Sequence, residues 1–131
     1  MDPATPLGRA AFLERQDDRR VLVLGATGFI GGRLVEALAQ RTKARIRVLV
    51  RDLSRLAEVA RHQVEIMQGD VGDHAALARS MTDCDLVFNC TLGTGTIEAL
   101  KMAGEGALDG KIIVDLSNPL DFSKGVPPSL F

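Results

Sequence analysis

Tyrosine and tryptophan are absent from the 131-residue sequence, and cysteine and histidine occur only twice each. Without tyrosine, no phenol is available to donate or accept a proton. Cys84 and Cys90 flank a predicted strand, along which they would be about 20 Å apart, too far for a disulfide between them. His62 and His74 lie in predicted helix or loop positions, and no grouping of His, Cys, Asp or Glu has the spacing of metal ligands. The sequence therefore predicts no catalytic residue and no metal site.

An excess of charge and a long apolar run are also missing. The 16 Lys and Arg residues nearly balance the 17 Asp and Glu residues, so nothing favours nucleic-acid binding through bulk charge. No apolar run approaches the roughly 20 residues that span a bilayer. The first 20 residues carry Glu14, Asp17 and Asp18 and no continuous apolar segment, which argues against a secretory signal. A reduced, cytoplasmic compartment without membrane contact is expected.

Hydrophobic residues make up 46% of the chain, enough for one domain with a packed core. Val21–Leu24 is a short apolar run typical of a buried strand, and it ends at Gly25. Apolar residues then recur every four positions over Ile30–Gln40, which predicts a helix with one apolar face. The residues of that face are Ile30, Leu34 and Leu38. A second apolar run at Ile46–Val50 completes a βαβ unit.

Three glycines punctuate the junction between the first strand and the first helix. Gly25, Gly28 and Gly31 have the spacing Gly-x-x-Gly-x-x-Gly, which in this context predicts a site for a dinucleotide pyrophosphate. Gly25 can take backbone angles that a Cβ would forbid, Gly28 lets the main chain approach the phosphates, and Gly31 lets the helix pack close to the strand. The N–H groups of the first helical turn and the helix dipole favour an anion there. The alternative is a tight turn without a ligand.

Apolar runs and helical segments alternate along the rest of the chain. Further strands are predicted at Val64–Met67, Leu86–Asn89 and Ile112–Asp115. Further helices are predicted after an Asp52 N-cap, with Leu53, Leu56, Ala57 and Ala60 as the apolar face, over Ala75–Met81 behind Asp73, and over Thr94–Ala103. The alternation predicts an α/β fold, a three-layer Rossmann-like doubly wound parallel sheet of about five strands in the order 3-2-1-4-5. No segment is a candidate for a sixth strand.

The domain organisation follows from the same pattern. Residues 1–18 contain two prolines and a glycine and are expected to form a flexible lead-in. Residues 19–120 are expected to form the NAD(P)-binding domain. Residues 121–131 are expected to be a C-terminal tail.

The residues after the second and third strands indicate the preferred cofactor. An NAD site usually has an acid at the end of strand two, where it bonds both ribose hydroxyls. Here strand two runs into Arg51, whose guanidinium can pair with a 2′-phosphate and stack beside adenine. NADP(H) is therefore expected, although the adjacent Asp52 keeps NAD(H) open, and Arg51 could instead be a solvated surface residue. Asp70, after strand three, is either a cofactor contact or a turn carboxylate.

Small residues follow the fourth strand, on the side where the nicotinamide ribose lies in this fold. Asn89, Cys90 and Thr91 would let a cofactor lie against the backbone. Cys90 has no histidine beside it in sequence, so a buried structural thiol is favoured over a nucleophile.

From Val21 to about Cys90 the sequence resembles the extended and atypical short-chain dehydrogenase/reductases, including the NmrA-like group. The resemblance is carried by the glycine turn together with Ala26-Thr27 and Phe29-Ile30. It implies NADP(H) through Arg51 and an adenine-edge contact through Asp70. The Tyr-x-x-x-Lys pair of that family is absent. The resemblance also implies a pyrophosphate role for Gly25, Thr27, Gly28, Phe29, Ile30 and Gly31.

The segment from Leu108 to Phe131 is similar to dinucleotide-binding proteins related to the deazaflavin-dependent NADP reductases. That likeness implies that Asn118, in the Asn-Pro pair after the fifth strand, lies near the nicotinamide ring. The alternative is an ordinary turn, where Asn-Pro is common. In those reductases, as the resemblance implies, no side-chain acid is essential for hydride transfer between two cofactors.

These observations support two hypotheses about function. The first is an NADP(H)-dependent oxidoreductase, or the cofactor-binding part of one, acting with a small-molecule or second-cofactor acceptor. The second is a non-catalytic NADP(H)-sensing module of the NmrA-like type. Self-association that covers exposed apolar surface is also expected, because an edge strand is missing.

Overall fold

The computed structural model describes residues 19–91, 96–117, 120–121, 123–127 and 129–130. Its main feature is a parallel sheet of five strands in the order β3-β2-β1-β4-β5. The strands are β1 Arg20–Leu24, β2 Arg45–Val50, β3 Glu65–Gln68, β4 Leu86–Asn89 and β5 Ile112–Asp115. Strand order and direction agree with the predicted doubly wound fold.

Helices connect the strands and cover the sheet. They are α1 Phe29–Arg41, α2 Glu58–Arg61, α3 His74–Met81, α4 Thr96–Ala103 and α5 Glu105–Leu108, with a short 3₁₀ helix at Leu53–Arg55. α3 begins where predicted, because the Asp73 carboxylate accepts hydrogen bonds from the backbone N–H groups of Ala75 and Ala76.

Two apolar cores lie on opposite faces of the sheet, which gives the three predicted layers. On one face, Leu77 and Met81 of α3 pack with Leu22 and Val87 of the sheet. The other core contains Val35 of α1 and Leu56, packed with residues of β1 and β2. The helices on both faces leave the carboxyl ends of the strands open at one edge of the sheet.

Two local predictions were wrong. The segment after Asp52 is not one amphipathic helix, because it breaks into the 3₁₀ helix and α2. Of its predicted apolar face, Leu56 is buried, whereas Leu53 is 40% exposed. Ile30 is 52% exposed, because Gly31 and Val35 are the residues that α1 turns toward the sheet. The period of the apolar residues alone did not determine which side of each helix packs against the sheet.

The region after β4 contains elements that the sequence pattern did not predict. α5 follows α4 directly, with Gly104 between them at a φ of +82°. β6 Leu120–Asp121 and β7 Ser129–Leu130 pair antiparallel in a separate small sheet. The main sheet gains no sixth strand from the described residues, and the predicted start of α4 at Thr94 lies outside them.

One buried charge interrupts the apolar pattern of β2. The Arg47 side chain donates hydrogen bonds to the backbone oxygens of Ser80 (2.8 Å) and Thr82 (2.7 Å), where α3 ends. Its guanidinium also contacts the Glu65 carboxylate at 3.2 Å. Arg47 therefore ties the end of α3 to the sheet, far from the open edge.

Candidate functional site

The turn between β1 and α1 has a backbone that only glycine tolerates at two positions. Gly25 has a φ of +78°, and a Cβ there would overlap the Cys90 carbonyl oxygen. A Cβ at Gly31 would overlap the Gly25 carbonyl oxygen. These two glycines bring β1, α1 and the end of β4 into close contact.

Gly28 differs from its two neighbours in the motif. A Cβ at this position would meet only the Gly25 carbonyl oxygen, at 3.3 Å, which is a tight contact but not an overlap. Gly28 is the N-cap of α1, and no side chain accepts a hydrogen bond from the first turn of that helix. The first-turn N–H groups are therefore open to an external anion, as a pyrophosphate cradle requires.

A cleft of about 260 Å³ runs from this turn along the ends of β2 and β3. Gly25, Thr27 and Thr91 line one part of it, and Arg51 and Asp70 line the other. The Arg51 guanidinium lies 3.8 Å from the Asp70 carboxylate, with both side chains at least half exposed. Such an exposed ion pair is weak, about 0–1 kcal/mol, so the guanidinium can turn to a stronger anion.

A second groove, of about 390 Å³, adjoins the cleft on the other side of Thr27. Phe29, Arg33 and Arg55 contribute to its walls. The Arg33 guanidinium lies 6.0 Å from the centre of the Phe29 ring, which is itself 83% exposed. Arg33 and Arg55 bring positive charge to this groove, and Glu36 also lines it.

Polar side chains link the ends of β4 and β5. The buried Asn89 amide donates to the Asp115 carboxylate at 3.3 Å, and its oxygen accepts from the Thr91 hydroxyl at 2.6 Å. Ser117 donates to the same Asp115 oxygen through its backbone N–H (2.9 Å) and its hydroxyl (2.6 Å). The Ser117 bonds hold the pKa of Asp115 below its ordinary value, so this carboxyl is ionised at neutral pH.

The two cysteines are free thiols. Burial, aided by the nearby Asp115 charge, raises the pKa of Cys90 above its ordinary value. Burial likewise raises the pKa of Cys84. A raised pKa lowers the thiolate fraction, which is the reactive form, so Cys90 has the character of a structural thiol.

The predicted site residues meet along one edge of the sheet, with one exception. Gly25, Thr27, Arg51, Asp70 and Thr91 share the first cleft. Phe29 and Ile30 begin α1, and both side chains are exposed. Asn118 lies outside the described residues.

The sequence pattern gave no site role to Asp115. Arg55, at the end of the 3₁₀ helix, could have been found from its position four residues after Arg51. Asp115 could have been found as a carboxylate that ends a strand beside Asn89 in the predicted order. Within the described ranges, no group of three or more His, Cys, Asp or Glu residues is arranged to hold a metal ion. No helix among them is long and apolar enough to cross a membrane.

Known proteins with related sequences are reductases and oxidoreductases. The oxidoreductase tpcG of Aspergillus fumigatus is 29% identical over 119 residues, covering 76% of this chain and 45% of that protein. A (4-alkanoyl-5-oxo-2,5-dihydrofuran-3-yl)methyl phosphate reductase of Streptomyces griseus is 41% identical over 71 residues, 54% of this chain and 24% of that protein. The chain thus spans less than half the length of these curated relatives.

Solved structures show the same architecture. A candidate F420-dependent NADP-reductase from Arthrobacter sp. FB24 has a TM-score of 0.67 at 34% identity, covering 84% of this chain and 50% of its own. A short-chain dehydrogenase/reductase from Veillonella parvula, solved in complex with NADP, has a TM-score of 0.61 over 74% of this chain and 46% of its own. Its 22% identity makes this a likeness of fold alone.

The model of a family described as NAD(P)H-binding matches residues 25–116, which include the glycine turn, the cleft and the Asn89–Asp115 contact. The cofactor class inferred from the open helix end and the cleft is therefore the one that the family carries. This chain belongs to the NAD(P)H-binding family.

Proposed function

We propose that this chain binds NADP(H) in preference to NAD(H) and is the cofactor-binding part of an oxidoreductase. The observation that carries the preference is Arg51 at the mouth of the cleft, at the end of β2. An acid at that place would select ribose hydroxyls and repel a 2′-phosphate, whereas a guanidinium attracts the phosphate.

The residues fit such a cofactor in three stretches. The turn from Gly25 to Gly31, with Thr27, Phe29 and Ile30 between the glycines, would hold the pyrophosphate against the first turn of α1. Arg51 would take the 2′-phosphate and Asp70 would lie at the adenosine. Asn89, Cys90 and Thr91 would lie against the nicotinamide half, on the other side of β1.

The redox chemistry belongs to the cofactor: a bound nicotinamide supplies or accepts the hydride. The chain would position that ring and exclude water from one side of it. Relatives named as an oxidoreductase and as a candidate F420-dependent NADP-reductase support this class of function. We propose a small molecule or a second cofactor as the acceptor.

Calorimetry with NADPH and NADH tests the cofactor choice. Arg51→Asp should weaken NADPH binding by about 10-fold or more, because it replaces a charged hydrogen-bond donor with a repelling carboxylate. NADH binding should not weaken, because the new carboxylate can accept hydrogen bonds from the ribose hydroxyls. Arg45→Asp is a matched control, since Arg45 is exposed at the opposite end of the same strand. An NADPH preference that survives in Arg51→Asp would refute the role of this arginine.

A non-catalytic NADP(H) sensor is the second candidate. It is favoured by the sequence, which offers no tyrosine for proton transfer, and by Asp115, which is held ionised and so is a poor proton donor. Incubating the protein with NADPH and a panel of quinone, flavin and carbonyl acceptors separates the two. Binding without any oxidation of NADPH supports the sensor, and acceptor-dependent loss of absorbance at the reduced nicotinamide band supports the oxidoreductase.

A further inference from the structure

The hydrogen bonds between β4 and β5 fix the direction in which the Thr91 hydroxyl points its proton. The Asn89 side chain is fully buried, and its amide group has only two ways to lie. The Thr91 backbone N–H, which can only donate, lies 3.3 Å from Asn89 Oδ1. The Asp115 carboxylate, which can only accept, lies 3.3 Å from Asn89 Nδ2. Both neighbours therefore select the same orientation of the amide.

That orientation determines what Thr91 can offer to a ligand. Asn89 Oδ1 is an acceptor, so the Thr91 hydroxyl must donate its single proton to it, across 2.6 Å. The hydroxyl oxygen keeps its lone pairs, and Thr91 lines the cleft beside Gly25 and Thr27. The Thr91 side chain can therefore accept a further hydrogen bond from a ligand but has no proton left to donate.

Asp115 is the last acceptor in this series of hydrogen bonds, in which Thr91 donates to Asn89 and Asn89 donates to Asp115. Its Oδ1 accepts the Asn89 amide and two hydrogen bonds from Ser117, so the carboxylate is itself held in place. Asp115 is exposed and Asn89 is buried, so the relay runs from the rim of the sheet into the cleft wall.

We propose that Thr91 accepts a hydrogen bond from a donor group on the nicotinamide half of the cofactor. Asp115 and Asn89 are positioning residues: together with Thr91 they form a polarity relay, a chain of hydrogen bonds that fixes which way the Thr91 hydroxyl points its proton. This inference rests on the proposed function. The ligand group is a ribose hydroxyl or the carboxamide N–H, since both can donate to a fixed acceptor. A group that can only accept is disfavoured at this position.

Two ligands and three variants test the proposal. NADPH carries the nicotinamide half, and 2′,5′-ADP lacks it. Thr91→Val keeps the shape and removes the hydroxyl, so NADPH should bind about 3- to 10-fold more weakly and 2′,5′-ADP unchanged. Thr91→Ser keeps the hydroxyl and should bind both ligands within about twofold of the wild type. Thr82→Val, an exposed threonine at the end of α3, is the matched control and should change neither.

A double-mutant cycle tests the relay itself. Asp115→Ala removes one of the two groups that orient Asn89, the Thr91 backbone N–H being the other, and should weaken NADPH binding by a smaller factor, about 2- to 5-fold. Combined with Thr91→Val it should add nothing, because Asp115 acts through the Thr91 hydroxyl. Because Asp115 is exposed, Asp115→Ala should fold normally. Its NADPH affinity therefore still tests the proposal if Thr91→Val proves unstable in thermal unfolding.

Other results of these experiments would each overturn one part of the proposal. Unchanged NADPH binding in Thr91→Val, equal loss for both ligands, or loss in Thr91→Ser as large as in Thr91→Val overturns the acceptor role. Additive effects of Asp115→Ala and Thr91→Val overturn the relay. Failure of the wild type to bind NADPH refutes the proposed function, and the inference falls with it.

Discussion

At the scale of single residues, the three glycines of the turn do different work. Gly25 and Gly31 are required by the fold, since a Cβ at either would overlap backbone oxygen. A Cβ at Gly28 would lie 3.3 Å from the Gly25 carbonyl oxygen, a tight contact but not an overlap. Gly28 is also the N-cap of α1, beside the first-turn N–H groups that the proposed pyrophosphate site would use. The motif therefore combines two glycines that packing requires with one that we propose to serve the ligand.

The distinction predicts opposite outcomes for two alanine variants. Gly31→Ala should lower the free energy of unfolding by roughly 3 kcal/mol, because the backbone must move to relieve the overlap. Gly28→Ala should cost under about 1 kcal/mol, yet weaken NADPH binding by roughly 10-fold or more, because the methyl group keeps the phosphates away from the amides. Urea unfolding and calorimetry on the same samples measure both quantities. A Gly28→Ala protein that binds NADPH like the wild type would contradict the ligand-facing role.

At the scale of elements, the N-termini of α1 and α3 differ in their capping. The Asp73 carboxylate caps α3 with two hydrogen bonds, at 2.9 and 3.3 Å. α1 begins at an N-cap glycine and has no acidic residue in its first turn. A helix end without its own cap is less stable alone, and it is stabilised when an anion binds. The helix at which we propose that the cofactor binds is thus the one without a side-chain cap.

The opposite end of α3 depends on one arginine from the sheet. Arg47→Met should lower the free energy of unfolding by about 3 kcal/mol, because the Ser80 and Thr82 carbonyls lose a charged donor and Glu65 loses the nearer of its two arginine partners. Arg45→Met, two residues earlier and exposed, should change it by less than about 0.5 kcal/mol. Urea denaturation compares the two. Equal stability of both variants would show that Arg47 does not tie α3 to the sheet.

At the scale of the whole molecule, the two outer strands differ in their exposure of apolar groups. β3 carries exposed Glu65 and Gln68, polar residues that discourage pairing with another chain. β5 carries Ile112, which is 62% exposed. Among the described residues, no strand pairs with the outer edge of β5. Of the two outer strands, β5 is therefore the one with an exposed apolar side chain.

This asymmetry predicts self-association through β5. Light scattering should give the mass of a dimer for the wild type, because pairing covers both the exposed isoleucine and the open strand edge. Ile112→Lys should give a monomer with the same far-ultraviolet circular dichroism. A monomeric wild type would refute the prediction.

The sequence alone determined the βαβ pattern, the strand order, the cap of α3 and the position of the glycine turn. Each depends on local sterics or on the period of apolar residues, which are properties of neighbouring residues in the chain. Arg51 and Asp70 were predictable as candidates for the same reason, since each follows a recognisable strand.

Only the tertiary structure decided which polar groups meet. Asn89 and Asp115 are 26 residues apart and became partners because β5 lies beside β4. Arg47 stands within an apolar strand, and its buried guanidinium is satisfied by the Ser80 and Thr82 backbone oxygens, which α3 brings beside it. Ile30 kept the helical period yet lies in solvent, because Gly31 is the residue against the strand. Hydrogen-bond partners and buried faces depend on contacts across the sheet, and the order of residues along the chain does not specify them.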